Sequence, residues 1–370
     1  MRIVLSGGGT GGHITPNIAI LHELKRRHTS EGELKILYIG GRKSMEERLI
    51  GELDVNYVGI FCGKLRRYSS WKNITDVFKI PVGVIQAFYH LLIFRPTVIF
   101  CKGGYVCFPV AVAGWLLKIP VILHESDVIP GLANRLCAFF TSKICLSFEE
   151  SRKYFRGKKT ILTGNPVRYE MVFGNRFDGL AFLDFVPMLP VLLVMGGSLG
   201  ADFINKIIWS DMGNLLEQYQ IVHICGEKNM KSPEALLNLL PYGKKELLAR
   251  YRLFSFVKIE LKDIYAAADV VISRAGAMTL AELDFFEKPA LLIPLPKKAS
   301  RGDQIVNAGV FSKTHFCGII DEEKFSSEQF NSDLGRLLKH AMHKQKKSAP
   351  SGQKQKSSPL DAIIHLLENT

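Results

Sequence analysis

A glycine-rich turn directly after the first apolar segment is the part of the sequence best suited to chemistry. It runs from Gly7 to Gly12, and His13 follows at once. Glycines let backbone N–H groups and the start of the next helix approach a phosphate or another anion. A histidine beside such a turn can take a proton from a substrate hydroxyl, although a lone histidine at a helix start is more often a cap or a packed side chain. The residues alone leave both interpretations of His13 open.

The same turn matches the G-x-G-x-x-G pattern of dinucleotide-binding proteins. A nicotinamide enzyme also needs an acidic residue about 20 positions further on, at the end of the second strand. Here the second apolar segment ends in Gly40-Gly41-Arg42. The sequence therefore disfavours a dinucleotide cofactor.

The second half of the chain repeats the arrangement of apolar segment, small-residue turn and helix. Gly196 to Ala201 follows VLLVM, and Arg274 to Glu282 follows DVVIS. Glu282, one turn into its predicted helix, can accept both hydroxyls of a ribose or merely complement the helix dipole. Another predicted helix start carries side chains suited to sugar hydroxyls: Asp303, Gln304 and Asn307.

Strand-like segments alternate with helical patterns along the whole chain. The segments MRIVLS, KILYIG, TVIFCKGG, PVILHES and KICLSF occur in the first half, and a helix is predicted from about Pro16 to Arg27. The pattern starts again near residue 190. This alternation is typical of α/β proteins with parallel sheets, whose ligands bind beyond the carboxyl ends of the strands. We therefore predict two such domains facing a single cleft.

Turn-forming residues and basic residues indicate where the domains end. Glycine and proline are dense between residues 164 and 190, which predicts a linker and a boundary near 165. We predict a first domain over residues 1–165, a second over 166–338, and a basic tail with a short terminal helix over 339–370. Residues 339–356 contain six lysines and no acidic residue. A mobile linker is the interpretation favoured for them.

The bulk properties limit the class of protein. The 370 residues carry a formal charge of +13, which attracts an anionic partner. No nucleic-acid-binding motif occurs, so anionic lipid or a phosphorylated substrate is the expected partner. The seven cysteines show no disulfide or metal-ligand spacing, which fits a reducing cytoplasm. The first residues lack a signal peptide's apolar core, and no apolar stretch reaches the ~20 residues of a spanning helix.

A basic and aromatic-rich stretch between Lys64 and Phe94 is the candidate for a membrane surface. Its apolar residues recur at helical spacing, and its cations are Lys64, Arg66, Arg67, Lys72 and Lys79. Such a helix can lie on an anionic lipid monolayer, or it can be a core helix with solvated lysines. The spacing alone does not decide between these alternatives.

Seven short motifs, in order over about residues 1–320, resemble those of the MurG family of glycosyltransferases. They are Gly8 to His13, Gly103-Gly104-Tyr105, His124-Glu125-Ser126-Asp127 with Pro130 to Asn134, Gly164-Asn165-Pro166-Val167-Arg168, the turn beginning Gly196-Gly197-Ser198, Ser273 to Ala277, and Asp303-Gln304 with Asn307-Ala308. Each motif is weak alone, and their common order makes the resemblance specific.

The resemblance implies the GT-B architecture, two Rossmann-like domains facing a cleft. It also implies inverting transfer of N-acetylglucosamine from UDP-N-acetylglucosamine (UDP-GlcNAc) to the C4 hydroxyl of the muramoyl sugar of lipid I, a polyprenyl-diphosphate-linked peptide, which gives lipid II. By the same resemblance the enzyme needs no cofactor or metal and binds no nucleic acid. It is expected at the cytoplasmic face of the plasma membrane as a peripheral protein, with its first domain facing acceptor and membrane and its second holding the donor.

The family also implies roles for particular residues. His13 is its candidate base, and Glu125 competes for that role. The expected donor contacts are Thr10, Gly11, Gly12, Asp127, Arg168, Ser198, Ala277, Met278, Thr279, Leu280, Ala281, Glu282 and Gln304. The expected acceptor-side residues are Gly103, Gly104, Tyr105 and Asn134. Many relatives have asparagine at the position of Asp127, which puts its hydrogen bond in doubt.

The sequence leaves two rival classes of protein. One is another sugar-nucleotide enzyme of the same architecture, such as a diacylglycerol glycosyltransferase or a UDP-GlcNAc epimerase. The other is a noncatalytic nucleotide-binding subunit, which predicts UDP binding without turnover. The segments His124 to Asp127 and Gly164 to Arg168 disfavour the first rival. The presence of His13, Glu125 and Glu282 counts against the second.

Overall fold

The computed structural model describes residues 1–28, 34–63, 71–197, 200–347 and 358–370. The chain divides into two compact units. The first comprises Met1–Tyr169 and Gln355–Thr370, and the second comprises Glu170–Lys354. The first unit thus continues beyond the predicted boundary at residue 165.

The described part of the first unit contains a seven-stranded sheet in which every strand pair is parallel. Its strands are β1 (Arg2–Ser6), β2 (Lys35–Gly41), β3 (Asn56–Ile60), β4 (Val98–Cys101), β5 (Val121–Glu125), β6 (Lys143–Leu146) and β7 (Thr160–Leu162). The helices between them are α1 (Gly11–Arg27), α2 (Met45–Gly51), α3 (Trp71–Phe94), α4 (Cys107–Leu116) and α5 (Leu132–Cys137). The central strands are apolar and buried because helices cover both faces of a parallel sheet.

The strand order of this sheet is β3-β2-β1-β4-β5-β6-β7, so its direction of winding changes between β1 and β4. The connections that leave two adjacent strands toward opposite sides open a crevice at their carboxyl ends. The glycine turn after β1 and the segment Lys102–Val106 after β4 lie at that point. The first unit therefore positions two of the predicted motifs side by side.

The described part of the second unit contains a six-stranded sheet, also parallel, in the order β10-β9-β8-β11-β12-β13. Its strands are β8 (Val191–Met195), β9 (Gln220–Ile224), β10 (Tyr251–Phe254), β11 (Val270–Ser273), β12 (Ala290–Leu292) and β13 (Cys317–Ile319). Its helices are α6 (Arg176–Leu183), α7 (Asp202–Ser210), α8 (Met212–Gln218), α9 (Pro233–Leu237), α10 (Leu261–Ala267), α11 (Ala277–Phe285), α12 (Asp303–Phe311) and α13 (Ser327–Lys347). The change of direction falls between β8 and β11, where two more predicted motifs begin.

The prediction of a separate tail from residue 339 is wrong. Helix α13 continues through 339 to Lys347, because Leu337 and Ala341, one helical turn apart, are buried in the core of the second unit. A last helix, α14 (Pro359–Glu368), packs against α1 and buries its apolar residues in the first unit. Residues 348–357 lie outside the described residues. Helix α1 also begins earlier than predicted, at Gly11, so His13 lies in its first turn.

No helix within the described ranges is long and apolar enough to cross a bilayer. All seven cysteines are free thiols. Five of them are buried: Cys101, Cys107, Cys137, Cys145 and Cys225.

Candidate active site

The turn after β1 is held tightly against its surroundings. Gly9 has a φ of +86°, a backbone conformation that favours glycine. A Cβ on Gly8 would lie 2.3 Å from Glu46 Oε1, so only glycine fits there without a shift. The Gly9 N–H points to Glu46 Oε2 at 3.4 Å. The N–H group that the sequence assigned to a ligand anion therefore faces a carboxylate of the protein itself.

His13 is held through its Nδ1 atom, which lies 3.2 Å from the Gly8 carbonyl oxygen and 3.0 Å from Thr10 Oγ1. A carbonyl oxygen only accepts hydrogen bonds, so the contact with Gly8 places the proton on Nδ1 and the lone pair on Nε2. A histidine in this tautomer can act as a base through Nε2. The Thr10 side chain, which would otherwise cap α1, is occupied by this contact.

The predicted acceptor-side residues lie together in the first unit. Gly104 is so close to the first turn that a Cβ there would lie 2.3 Å from the Gly8 oxygen and 3.3 Å from His13 Nδ1. Gly103 approaches Asn134 in the same way, at 2.8 Å from Oδ1. The Tyr105 ring packs over Gly9. The structure thus brings the first turn, the Gly103-Gly104-Tyr105 motif and Asn134 into contact. Gly104 and Tyr105 are partly exposed, whereas Gly103 and Asn134 are buried.

Glu125 is buried next to Asn134, with 2% of its area exposed. Its Oε2 accepts from Asn134 Nδ2 at 2.8 Å, and its Oε1 accepts from the Asp127 backbone N–H at 2.9 Å. Burial, followed by the charge of Asp127, raises the pKa of Glu125 to about 7. Through these two hydrogen bonds the carboxyl group holds the backbone at Asp127 and the side-chain amide of Asn134 in place.

A buried network that the sequence analysis missed lies next to Glu125. Lys102 is fully buried, and its Nζ donates to His124 Nδ1 at 2.9 Å, to Asn165 Oδ1 at 3.2 Å and to Ser126 Oγ. His124 Nε2 in turn donates to the Gly164 carbonyl at 2.9 Å. Burial lowers the pKa of Lys102 to about 8, and burial with the nearby Lys102 charge lowers the pKa of His124 well below its ordinary value.

The only sequence signal for this network was a lysine that ends an otherwise apolar strand segment, directly before two glycines. The hydrogen bonds of Lys102 and His124 connect the ends of β4 and β5 with the segment after β7. The His124-Glu125-Ser126 and Gly164-Asn165-Pro166 motifs are thus parts of one structure.

The donor-side residues of the second unit lie at the carboxyl ends of β8 and β11. Gly197 and Gly200 have φ angles of +89° and +79°, and a Cβ on Gly200 would lie 2.1 Å from the Cys225 oxygen. Ser198 lies outside the described residues. Helix α11 starts after Gly276 with no side-chain cap, and three donor-side residues in its first turn are partly accessible: Ala277, Met278 and Thr279.

Farther along α11, two predicted donor contacts differ in accessibility. Leu280 is 1% exposed, so its side chain is buried and the predicted donor contact is left to its backbone. Ala281 is partly exposed. Glu282 is buried, and its Oε2 accepts from the Tyr265 hydroxyl at 2.9 Å. Tyr265 is itself fully buried and stacks on Phe286 with ring centroids 5.2 Å apart.

The predicted sugar-binding residues at the start of α12 differ in their exposure to solvent. Gln304 is partly exposed, and its Oε1 accepts from the Leu295 N–H at 3.1 Å. Asn307 is fully buried, so its side chain is not accessible to a sugar hydroxyl in this structure. Arg274 is a structural brace that bonds Glu322 and the Ile293 carbonyl.

The remaining predicted donor contacts belong to the first unit. Gly11, Asp127 and Arg168 are partly exposed, and Thr10 and Gly12 are exposed. In the portions of the chain that the structure covers, no group of three His, Cys, Asp or Glu side chains could hold a metal ion. The candidate site is thus composed of glycine turns, helix starts and single charged side chains.

The chain has two parallel-sheet α/β domains, and in each a glycine turn follows a strand at which the sheet changes its direction of winding. These features define the class of protein: the chain has the GT-B fold of sugar-nucleotide enzymes. Among solved structures, it is similar to MurG of Acinetobacter baumannii, with a TM-score of 0.72, 22% identity and coverage of 100% of this chain and 99% of that one. It is also similar to the UDP-GlcNAc 2-epimerase of Neisseria meningitidis bound to UDP-GlcNAc, with a TM-score of 0.64, 14% identity and full coverage of both chains. At these identities the likeness shows the fold.

Sequence relatives give the family. Residues 3–146 match the glycosyltransferase family 28 N-terminal domain, and residues 191–363 match its C-terminal domain. The chain therefore belongs to glycosyltransferase family 28. It is 42% identical over 339 residues to the UDP-N-acetylglucosamine--N-acetylmuramyl-(pentapeptide) pyrophosphoryl-undecaprenol N-acetylglucosamine transferase of Clostridium botulinum (strain Langeland), over 92% of this chain and 91% of that relative. It is 46% identical to one such transferase of Bacillus thuringiensis (strain Al Hakam), over 92% of this chain and 90% of that relative.

Proposed function

We propose that this enzyme transfers N-acetylglucosamine from UDP-GlcNAc to the C4 hydroxyl of the muramoyl sugar of lipid I, with inversion, to form lipid II. One observation carries the proposal: relatives that are 42% and 46% identical over 92% of the chain bear the name of that transferase. In the reaction the acceptor oxygen attacks C1 of the sugar from the face opposite UDP. The bond from C1 to the diphosphate oxygen breaks, and UDP leaves with its electron pair.

His13 is the base of this proposal. Its Nδ1 contact with the Gly8 carbonyl places the lone pair on Nε2, which takes the proton of the acceptor hydroxyl as that oxygen attacks. The accessible glycines beside it leave room for a sugar to approach. The acceptor therefore belongs against the surface that joins His13, Gly104 and Tyr105.

Glu125 has a different task in the proposal. Both of its oxygens accept hydrogen bonds from the protein, and 2% of its area is exposed, so a substrate hydroxyl has little access to it. It holds the loop that carries Asp127 and the side chain of Asn134. This arrangement favours His13 over Glu125 as the base.

The donor belongs to the second unit. The start of α11 directs its positive dipole end to the carboxyl end of β11, which suits a nucleotide diphosphate without a metal ion. Glu282, held by Tyr265, accepts the ribose hydroxyls, and Gln304, held by the Leu295 N–H, contacts the transferred sugar. Positive charge and N–H donors at the diphosphate stabilise UDP as it leaves.

The enzyme is proposed to reach its acceptor from the membrane surface. Helix α3 buries one apolar stripe, including Ala87 and Leu91, and exposes a second one. We call the second stripe the α3 outer face; its residues are Phe78, Val82, Ile85, Tyr89, Leu92 and Ile93, which are 44–73% exposed. An exposed apolar face of this size on a soluble domain marks an interaction surface.

Lipid fits the α3 outer face because the relatives' printed name includes an undecaprenol-linked acceptor. Trp115 and Leu116 at the end of α4, which packs on α3, add exposed apolar area. Of the five cations predicted to attract anionic lipid, Lys64, Arg66 and Arg67 lie outside the described residues. Lys79 is exposed and forms an ion pair with Asp76 at 2.7 Å. Free thiols are consistent with a reducing compartment, so the proposed location is the cytoplasmic face of the membrane.

Transfer of labelled GlcNAc to a lipid I analogue tests the proposal. Parallel reactions contain EDTA, or UDP-glucose in place of UDP-GlcNAc. We expect a labelled disaccharide lipid that forms equally in EDTA and strongly prefers UDP-GlcNAc. Epimerisation of the donor, or UDP binding without transfer, would instead assign the chain to one of the rival classes.

A further inference from the structure

Glu46 is a buried carboxylate that the proposed mechanism does not use. It lies in the first turn of α2, and none of its area is exposed. Burying a carboxylate is costly unless hydrogen bonds or opposite charge compensate it. Its hydrogen bonds come from two backbone groups, Gly41 N–H at 3.2 Å and Gly9 N–H at 3.4 Å. In some proteins a buried charged group of this kind fixes a particular local structure.

The carboxylate is in contact with the turn that carries His13. Gly8 approaches it so closely that an added Cβ would lie 2.3 Å from Oε1 and 2.5 Å from the carboxyl carbon. On its other side the Gly8 carbonyl is confined by Gly104, where an added Cβ would lie 2.3 Å from the oxygen. The orientation of this carbonyl is therefore fixed from both sides.

The Gly8 carbonyl is also the acceptor for His13 Nδ1, at 3.2 Å. A change in its direction would remove the group that keeps the proton on Nδ1. The imidazole could then place its proton on Nε2, and a neutral histidine protonated there cannot take a proton through that atom.

We propose that Glu46 is a positioning residue: its buried carboxylate fixes the Gly8-Gly9 turn so that the Gly8 carbonyl holds the Nδ1 proton of His13. The proposal rests on the proposed function, in which His13 Nε2 is the base. It also gives the glycine turn a task other than binding a substrate phosphate, because the anion next to its N–H group belongs to the protein.

Glu46→Gln tests the proposal, with Glu47→Gln as its matched control. Glu47 is the next residue of the same helix, is exposed, and accepts from the Lys43 backbone instead of the glycine turn. A glutamine at 46 brings an NH2 group against one of the two N–H donors. We expect kcat to fall at least ~10-fold with the KM for UDP-GlcNAc unchanged, since small displacements of a reacting group cost up to ~10²-fold. The control should match the unchanged enzyme.

A spectroscopic measurement separates this proposal from the one on which it rests. Long-range proton–nitrogen correlation of histidine-labelled enzyme, with His13→Ala to assign the signal, gives the tautomer of neutral His13 without reference to activity. We expect the Nδ1-protonated form in the unchanged enzyme and a mixture in Glu46→Gln. An unchanged tautomer would overturn the positioning role, whatever the activity. A changed tautomer with a fully active His13→Ala would instead refute His13 as the base.

Thermal unfolding shows whether the Glu46→Gln protein is folded. If it is not, Glu46→Asp replaces it, since aspartate keeps the charge and draws the carboxylate back by one methylene. A shift of the tautomer in that variant supports the proposal, and its absence contradicts it.

Discussion

The Tyr265 hydroxyl donates a hydrogen bond to Glu282 Oε2 at 2.9 Å, and both side chains are buried in the second unit. Tyr265 comes from α10 and Glu282 from α11, so the bond joins two helices beside the end of β11. Stacking of Tyr265 on Phe286 fixes the ring that carries the hydroxyl. The carboxylate proposed to receive the ribose is thus oriented before any donor arrives.

Tyr265→Phe should raise the KM for UDP-GlcNAc at least ~5-fold with little change in kcat. Glu282 loses the hydrogen bond that it accepts from the hydroxyl, a type of bond worth about 1.5–3 kcal/mol, and its contact with the ribose is made equally in bound donor and transition state. Steady-state kinetics with varied donor is the measurement. Tyr242→Phe, at a residue 98% exposed, is the control. An unchanged KM would show that Tyr265 does not orient Glu282 for the donor.

His13→Ala should lower kcat by ~10²-fold or more, the usual scale for loss of a general base. The comparison is His22→Ala, which removes a second imidazole from the same helix, farther from the glycine turn. Single-turnover measurement at saturating donor isolates the chemical step. A fall of only a few-fold would eliminate the role of His13 as the base.

Glu125→Gln should change how stability depends on pH. The raised pKa of about 7, against an ordinary 4.5, means that native Glu125 keeps its proton where the unfolded chain has lost it. Its contribution to stability is therefore complete below about pH 4.5 and is lost as the pH rises through about 7, a change of about 3 kcal/mol. In the variant, the free energy of unfolding, measured with urea, should fall less between these two pH values than in the unchanged enzyme.

Glu52→Gln, at an exposed carboxylate, should leave that pH dependence as it is. If Glu125→Gln and Glu52→Gln give the same profile as the unchanged enzyme, Glu125 does not carry a raised pKa.

Phe78→Ser combined with Ile85→Ser should lower binding to vesicles at least ~10-fold, because each large apolar side chain contributes about 1.5–3 kcal/mol when fully buried. Flotation with anionic and neutral vesicles is the measurement. Met188→Ser, at an apolar residue of the second unit that is 89% exposed, is the control. Equal binding to both vesicle types would remove the electrostatic part of the proposal, and unchanged binding by the double variant would remove the α3 outer face from it.

The fold was predictable because its signals are local. Apolar strand segments of both halves, with glycine turns after β1 and β8, predict two parallel-sheet domains, and the structure and family match confirm that class. The basic composition around residues 339–356 was misleading, since it hid the buried Leu337 and Ala341 that extend α13. The composition of a segment counts the residues on all faces of a helix, whereas burial of the helix depends on the residues of one face.

The candidate site was predictable only where a motif is contiguous. Contacts such as Lys102 with Asn165 or Glu46 with Gly9 join residues far apart in the chain. The residues next to Lys102 or Glu46 in the sequence do not predict which group each charged side chain contacts. Leu280 belongs to a segment predicted to contact the donor, yet its side chain is buried. Side-chain direction and long-range pairing are properties of the folded chain.

The linkage in the product tests the central claim most directly. The transfer product made from UDP-GlcNAc and a lipid I analogue is purified, and nuclear magnetic resonance determines the configuration at C1 and the oxygen that carries the new sugar. Attack by the C4 oxygen from the face opposite UDP predicts a β linkage to C4 of the muramoyl sugar. An α linkage, attachment at another oxygen, or release of free GlcNAc without a disaccharide lipid would contradict the account.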